Sequence, residues 1–321
     1  MSRTASDLAV WERTRRGGER RSVAVRLRRA RSAAVPYLFV APVLLFLGAL
    51  LIYPVVLNII MSFQDRQLGN LISGPAKWVG TRNYDAIFHD PVFKSAVVHS
   101  VLYTVISVAI QLVIALMLAL FYSRHFRGAR LFRSLFLVSY AIPIVVSAQV
   151  FKWLLDGRGM VNSVLQSLHL QDQPQYWLAD TRLALGAVIA VQLWLGIPFT
   201  MVNLLAGLST IPDELHEAAA IDGANAWRRF WDITWPLLRP TAAAATILSL
   251  IFAFKNFDLI WIATKGGPGN ATTTLPTLAY QTAFEQFLFG RGAAILNLIF
   301  AACFVLALGY IFSLRREERV A

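Results

Sequence analysis

Residues 210–240 read TIPDELHEAAAIDGANAWRRFWDITWPLLRP, a polar island between two membrane-length apolar runs. Its local signals are those of two short helices with a sharp bend between them. Thr210 followed by Asp213 has the spacing of a helix N-cap with an acid three residues on. Pro212 falls in the first turn, where its missing N–H costs nothing. Asp213, Glu214 and Glu217 place negative charge at the positive end of the helix dipole. Gly223 interrupts, and Asn225 is placed to cap a second helix carrying Trp227, Phe230 and Trp231. Pro236 and Pro240 close that helix before the next apolar run. The expectation is a helix–turn–helix at a membrane surface that presents a knob.

The flanks extend the same reading. The chain has 321 residues, 57% of them hydrophobic and 15% charged, where a soluble domain carries roughly 25% charged residues. Apolar runs of about 18 residues or more are long enough to cross a bilayer as helices. Six are read here: 36–63, 95–123, 134–155, 183–208, 241–264 and 293–314. The fold class is therefore all-α integral membrane, with one membrane domain at 32–315, an Arg-rich extension at 1–31 and a tail at 316–321. The basic stretch and the apolar run at the N-terminus are too long for a cleavable signal peptide. The one cysteine, Cys303, lies inside an apolar run, so no intrachain disulfide forms.

The net charge of +12 is concentrated where membrane topology uses it. Ten Arg precede Val35, four lie from Arg124 to Arg133, and three lie at 315–319 at the end of the chain. The alternate loops are poorer for their length, with Arg66, Lys77, Arg82 and Lys94, then Arg158 and Arg182, then Lys265 and Arg291. Basic loops stay on the cytoplasmic side, so both termini and the 210–240 island are expected there. No basic face interleaved with stacking aromatics appears, which argues against a nucleic-acid partner.

Enzyme chemistry finds no support. The phosphate-binding G-x-x-x-x-G-K-[ST] pattern is absent, as are H-E-x-x-H and Cys/His clusters. No catalytic residue and no metal site is expected, and His99 is read as a packed histidine near the end of its span. The polar residues inside spans are more telling, because they are costly in hydrocarbon and face a cavity or a partner. In the fifth span Lys255, Asn256 and Asp258 sit together, and Lys255 and Asp258 are i,i+3 neighbours able to pair on one helical face. In the fourth, Gln192, Gly196, Pro198 and Thr200 interrupt the apolar run and let the helix bend. Trp194, Phe199, Phe252, Phe254, Phe257 and Trp261 supply aromatic faces. Sugars need that mixture, flat apolar surfaces for C–H faces and amides or carboxylates for hydroxyls.

The island also carries a family resemblance. Glu217-Ala218-Ala219, Asp222-Gly223-Ala224, Ile233 and Pro236 resemble the "EAA … G … I-x-L-P" loop of ABC importer permeases, with Trp235 where that family usually has Leu. NFDLI at 256–260, TKGGPGNATTTLPTLAYQTAF at 264–284 and WVGTRNY at 78–84 are similar to the sugar-uptake branch, in the form of the first of two paired permeases. The resemblance covers roughly residues 36–315. It implies the type I ABC importer permease fold, with six spans and cytoplasmic coupling helices in a bacterial cell membrane. It implies that Glu217, Ala218, Ala219, Asp222, Gly223, Ile233 and Pro236 couple to an ATPase. It places sugar-contacting positions on Gln192, Leu195, Gly196 and Phe199, and on Phe252, Ala253, Asn256 and Asp258, to which Lys255 is added on its charge. Gln192 and Phe199 stand where the maltose-type subunit has an Asn and a Tyr. Asp258 and Lys255 bring charge which that site lacks, and this points away from maltose itself. The implied partners are a second permease, two ATPase subunits that hold ATP and magnesium, an extracytoplasmic solute-binding protein and membrane lipid. This chain itself carries no cofactor. Three rival readings stand beside it: an ion-coupled secondary transporter using Asp258, an ABC permease for glycerol phosphate, a glycerol phosphodiester or a peptide, and a membrane scaffold. The scaffold leaves the coupling loop unexplained.

Overall fold

The computed structural model describes residues 39–71, 74, 76–123 and 128–317. The extension at 1–31, residues 124–127 of the basic loop and the last four residues of the tail lie outside them. The chain divides into two compact units, residues 1–58 and 59–321. The described part of the first belongs to helix α1 (Phe39–Ser62). Apolar side chains of α1 are exposed or half-exposed as far as Met61, as befits a span whose surroundings are hydrocarbon.

The second unit starts with a small antiparallel hairpin, β1 (Gln64–Asp65) against β2 (Lys77–Trp78), with Gln64 opposite Trp78. Then follow α2 (Arg82–His89), α3 (Pro91–Ser123), α4 (Ala129–Ala141), α5 (Ile144–Leu154), α6 (Met160–Ser167) and α7 (Ala184–Leu208). Next come α8 (Asp213–Ile221), α9 (Ala226–Phe254), α10 (Asp258–Ala263), α11 (Leu275–Tyr280) and α12 (Phe289–Glu317). The loop after the first span is thus structured rather than plain coil. Asn83 Nδ2 donates to Ser62 O and Gln64 O at 2.8 and 3.0 Å, and Trp78 stacks on Phe63.

Five helices, α1, α3, α7, α9 and α12, are each long and apolar enough to cross a membrane. The third expected span, 134–155, is not one helix. α4 and α5 meet at a bend of 99°. Pro143 is the cause: a residue before proline is pushed out of the helical region, and Ile142 is extended at φ −72°, ψ 129°. The fourth span departs the other way. Despite Gly196 and Pro198, α7 runs unbroken through both.

Hydrocarbon offers apolar side chains nearly the same environment as a protein interior, so burial alone does not draw spans together. Close approach through small residues does, summing dispersion contacts of about 0.1–0.2 kcal/mol per atom pair. The most extensive packing is between α3 and α7, and α9 lies against both. Ala115 and Ala119 of α3, Met201 and Leu204 of α7, and Leu238 and Ala242 of α9 form one buried cluster. A second joins Tyr103, Val188, Val191 and Ala253 to Leu259 and Ile260 of α10. A third joins Phe93 and Ala96 to Leu275, Leu278, Ala294 and Ile295. The TKGGPGNATTT coil is packed, with Thr272, Thr273 and Thr274 buried. Leu275 N donates to Ser100 Oγ at 2.8 Å. His99 Nδ1 lies 3.3 Å from Thr273 O, half-buried, which matches the reading of a packed histidine.

Candidate functional site

Two breaks in the helical backbone meet at one place. α9 stops at Phe254, and Lys255, Asn256 and Phe257 lead into α10. Asn256 causes this locally: its Oδ1 accepts from Leu259 N at 3.3 Å, satisfying an amide that a new helix start leaves open. The expected fifth span, 241–264, is therefore two helices. Lys255 and Asp258 do not share one helical face and make no ion pair within 4.0 Å. Both are exposed. Lys255 Nζ lies 5.0 Å from the Phe252 ring centre instead. The second break, between α4 and α5, brings Tyr140 and Ile144 to the same place.

Between these breaks and α7 lies an open cleft of about 360 Å³. Gln192, Leu195, Gly196, Phe199, Phe252, Lys255, Asn256 and Asp258 all line it. Ala253 does not. It is 1% exposed, inside the cluster under α9 and α10, because the helical rotation that aims Phe252 into the cleft turns the next residue inward. Five further lining residues are Gln111, Tyr140, Ile144, Ser249 and Phe257. Gln111 carried a signal, as an amide in the middle of the apolar second span. Tyr140 and Ile144 carried none, since only the bend at Pro143 places them here.

The polar groups are organised in two layers. Tyr103 Oη donates to Gln192 Oε1 at 2.9 Å, and Asn256 Nδ2 donates to the same oxygen at 2.9 Å. In the other layer Gln111 Nε2 donates to Thr200 Oγ1 at 2.6 Å and Ser249 Oγ at 3.1 Å. Each layer ties α3 to α7 and to the α9–α10 segment. Gly196 lies between them, and a Cβ there would stand 2.1 Å from Gln111 Oε1. A side chain at this point would have to displace the end of the Gln111 side chain. Around the layers are aromatic faces: Tyr140 stacks on Phe199, and Phe199 meets Phe252 edge to face, both at 5.9 Å.

The 210–240 island forms its two helices with some changes of detail. Thr210 does not cap α8; its Oγ1 donates back to Gly207 O at 2.8 Å. Pro212 is the residue that precedes the helix, at φ −62°, ψ 134°. α8 ends at Gly223, φ +79°. There Gly223 N donates to Ala220 O and Ala224 N to Ala219 O, at 3.1 and 2.9 Å, the paired closure that a left-handed residue permits. Asn225 Oδ1 accepts from Arg228 N at 2.9 Å, as expected of a cap. Pro236 and Pro240 close nothing, because α9 runs through both. A wider turn precedes them: Trp235 N–H bonds Phe230 O five residues back, so the ladder opens just where Pro236 cannot donate. No residue of α8 is buried. Glu217, Ala218, Asp222 and Gly223 are exposed, Ala219 is half-buried and Ile221 is 87% exposed. Ile233, half-buried, and Pro236, exposed, belong to α9 rather than to the knob.

Membrane-length helices around a polar cleft, two of the bordering segments broken where they meet it, with an exposed helical knob between two spans, define a membrane transport subunit. The chain belongs to the family of binding-protein-dependent transport system inner membrane components, whose model matches residues 111–316. It is 33% identical over 287 residues to a probable ABC transporter permease protein of Brucella suis biovar 1 (strain 1330), covering 89% of this chain and 98% of that one. It is 33% identical over 282 residues to the diacetylchitobiose uptake system permease protein of Streptomyces coelicolor (strain ATCC BAA-471 / A3(2) / M145), covering 87% and 85%. Its fold is similar to a chain of a bacterial alginate ABC transporter solved in complex with an alginate pentasaccharide-bound periplasmic protein. There the TM-score is 0.76, the identity 20%, and the coverage 89% of this chain and 96% of that one.

Proposed function

We propose that this permease carries a saccharide or sugar derivative through the cleft between α7 and the α9–α10 break. The observation that supports this is the joining of amides with aromatic faces in one open space, Gln192 and Asn256 beside Phe199 and Phe252. Hydroxyl groups exchange hydrogen bonds with amides, and C–H faces pack on rings. The permease relative named for diacetylchitobiose uptake and the structural neighbour solved with an alginate pentasaccharide-bound periplasmic protein support the same class.

In this reading the chain pairs with a second permease, and two separate ATPase subunits hold ATP and magnesium. An extracytoplasmic binding protein delivers the solute. Both termini and the α8 knob face the cytoplasm, which the Arg distribution supports. The extension 1–31 and the tail 316–321 flank a transport domain at 32–315. Glu217, Ala218, Ala219, Asp222 and Gly223 dock on the ATPase, with Ile233 and Pro236 holding the base of the knob. ATPase closure moves the knob, and rocking of the two permeases turns the cleft from one side to the other. The hydrolytic chemistry lies wholly in the ATPase.

Lys255 supports a second substrate class. It lines the cleft without an acid within 4.0 Å among the described residues, which suits a phosphorylated solute such as glycerol phosphate. The test is uptake by the complete complex in vesicles, with the loaded binding protein and ATP inside. Saccharide uptake that needs ATP and ignores ionophores is expected. Uptake driven by an ion gradient without ATP would overturn the reading.

A further inference from the structure

Beside the α8 knob lies a second groove, of about 980 Å³, separate from the cleft. Its long wall is apolar and belongs to membrane-spanning helix: Val113, Leu116, Met117 and Leu120 of α3, with Leu205 and Leu208 of α7. Its floor is where spans end and polar chain begins. Ser123 closes α3, Ile211 follows α7, and Ala226 to Thr234 open α9. Trp227 lines it at 72% exposure, and Trp231 and Trp235 follow on the same helix. Such tryptophans mark the level where acyl chains give way to headgroups.

Two arginines stand at that level, Arg133 and Arg229. The Nε of each is buried without a hydrogen-bond partner among the described residues. Arg133 also donates through Nη2 to Tyr122 O; the Arg229 side chain makes no hydrogen bond or ion pair there. Asp213 and His216 of α8 line the groove too, and Asp213 makes no ion pair within 4.0 Å with either arginine. An unpaired, desolvated guanidinium N–H is costly to leave so. An anion would satisfy it, in the charge-assisted fashion that suits arginine to phosphate.

We infer that this groove is a binding site for one anionic phospholipid, its acyl chains along α3 and its phosphate between Arg133 and Arg229. The groove takes lining residues from both sides of the knob's bend, Asp213 and His216 on α8 and Trp227, Arg229 and Phe230 on α9. A seated lipid therefore braces the coupling element against the spans. Neither the solute nor the direction of transport enters this inference.

The experiment uses the complete transporter in nanodiscs of phosphatidylcholine, with and without phosphatidylglycerol, and counts retained lipids by native mass spectrometry. Phosphatidylglycerol retained in preference to phosphatidylcholine is expected. Arg229→Gln should weaken that preference about fivefold, in line with one basic residue at an anionic surface, and Arg229→Lys should retain most of it. Met117→Trp, which fills the apolar wall and leaves the charges alone, should also expel the lipid. Inorganic phosphate in excess should not displace it, because the apolar wall contributes to binding. No headgroup preference, or one unchanged in both Arg229→Gln and Met117→Trp, overturns the site. So does displacement by inorganic phosphate, which would make the arginines a free-phosphate site.

Discussion

The knob and the cleft are built from opposite kinds of interaction. Every hydrogen bond that shapes the knob spans five residues or fewer: Gly223 to Ala220, Ala224 to Ala219, Arg228 to Asn225. Its surface ion pair, Arg228 to Asp232, joins one turn of helix at 3.3 Å and is exposed, so it adds little. The cleft is held by bonds between residues 49 to 153 positions apart, from Thr200–Ser249 to Asn256–Tyr103. A local device keeps its shape when the bundle moves and fails when its own backbone is altered. A long-range one tolerates exposed changes and fails when a shared buried atom is lost.

The largest effect should come from the knob's backbone. Gly223→Pro cannot adopt φ +79° and removes the N–H that bonds Ala220. Stimulation of ATP hydrolysis by the loaded binding protein should vanish while the complex still assembles. Glu217→Lys should do the same by reversing charge on an exposed face. Gly223→Asn, a residue that visits the left-handed region, should keep most activity. Normal stimulation in both Gly223→Pro and Glu217→Lys would falsify the coupling role.

Next is the shared atom in the cleft. Gln192→Leu deprives Tyr103 Oη and Asn256 Nδ2 of one acceptor, at about 1–3 kcal/mol for each stranded group. Solute uptake should fall at least about tenfold with basal ATP hydrolysis retained. If hydrolysis and uptake fall together, the cleft and the knob are not separable in the way their bonding suggests.

Gly196→Ala sharpens the point on a smaller scale. Its methyl would meet Gln111 Oε1 at 2.1 Å, forcing a shift that costs about 1–3 kcal/mol in a packed site. Uptake should drop severalfold, and Gln111→Ala should restore part of it in the double variant. Additive losses would show that the two do not compete for the same space.

Asp258→Asn probes an exposed cleft residue with no ion pair to break. Assembly should be normal and uptake reduced by about fivefold, the difference between a charged and a neutral hydrogen bond to solute. Unchanged uptake removes Asp258 from the solute path. Smallest of all is deletion of residues 2–30: the rank order of transported solutes should not change, and competition uptake with a panel of saccharides reads this directly.

The sequence alone determined the membrane class, the place of the knob and most of the residues that meet at the cleft. Apolar run length, Arg distribution, and the Gly223 and Asn225 signals act over a few residues, so a one-dimensional reading reaches them. The tertiary structure decided the rest. Lys255 and Asp258 looked like partners at i,i+3, but Asn256 starts a new helix between them, and the pair is split. Pro143 ends a helix and Pro198 and Pro240 do not, a difference that the local sequence does not carry. Proline removes one hydrogen bond wherever it stands, and whether the helix survives depends on what packs around it. Ala253 is buried while Phe252 beside it lines the cleft; Ser249 joins Phe252 from the same helix, and Gln111 and Tyr140 come from others. Which face of each helix turns inward is settled by how closely α3, α7 and α9 approach through their small residues. Close approach is a property of pairs of helices, and no single stretch of sequence contains it.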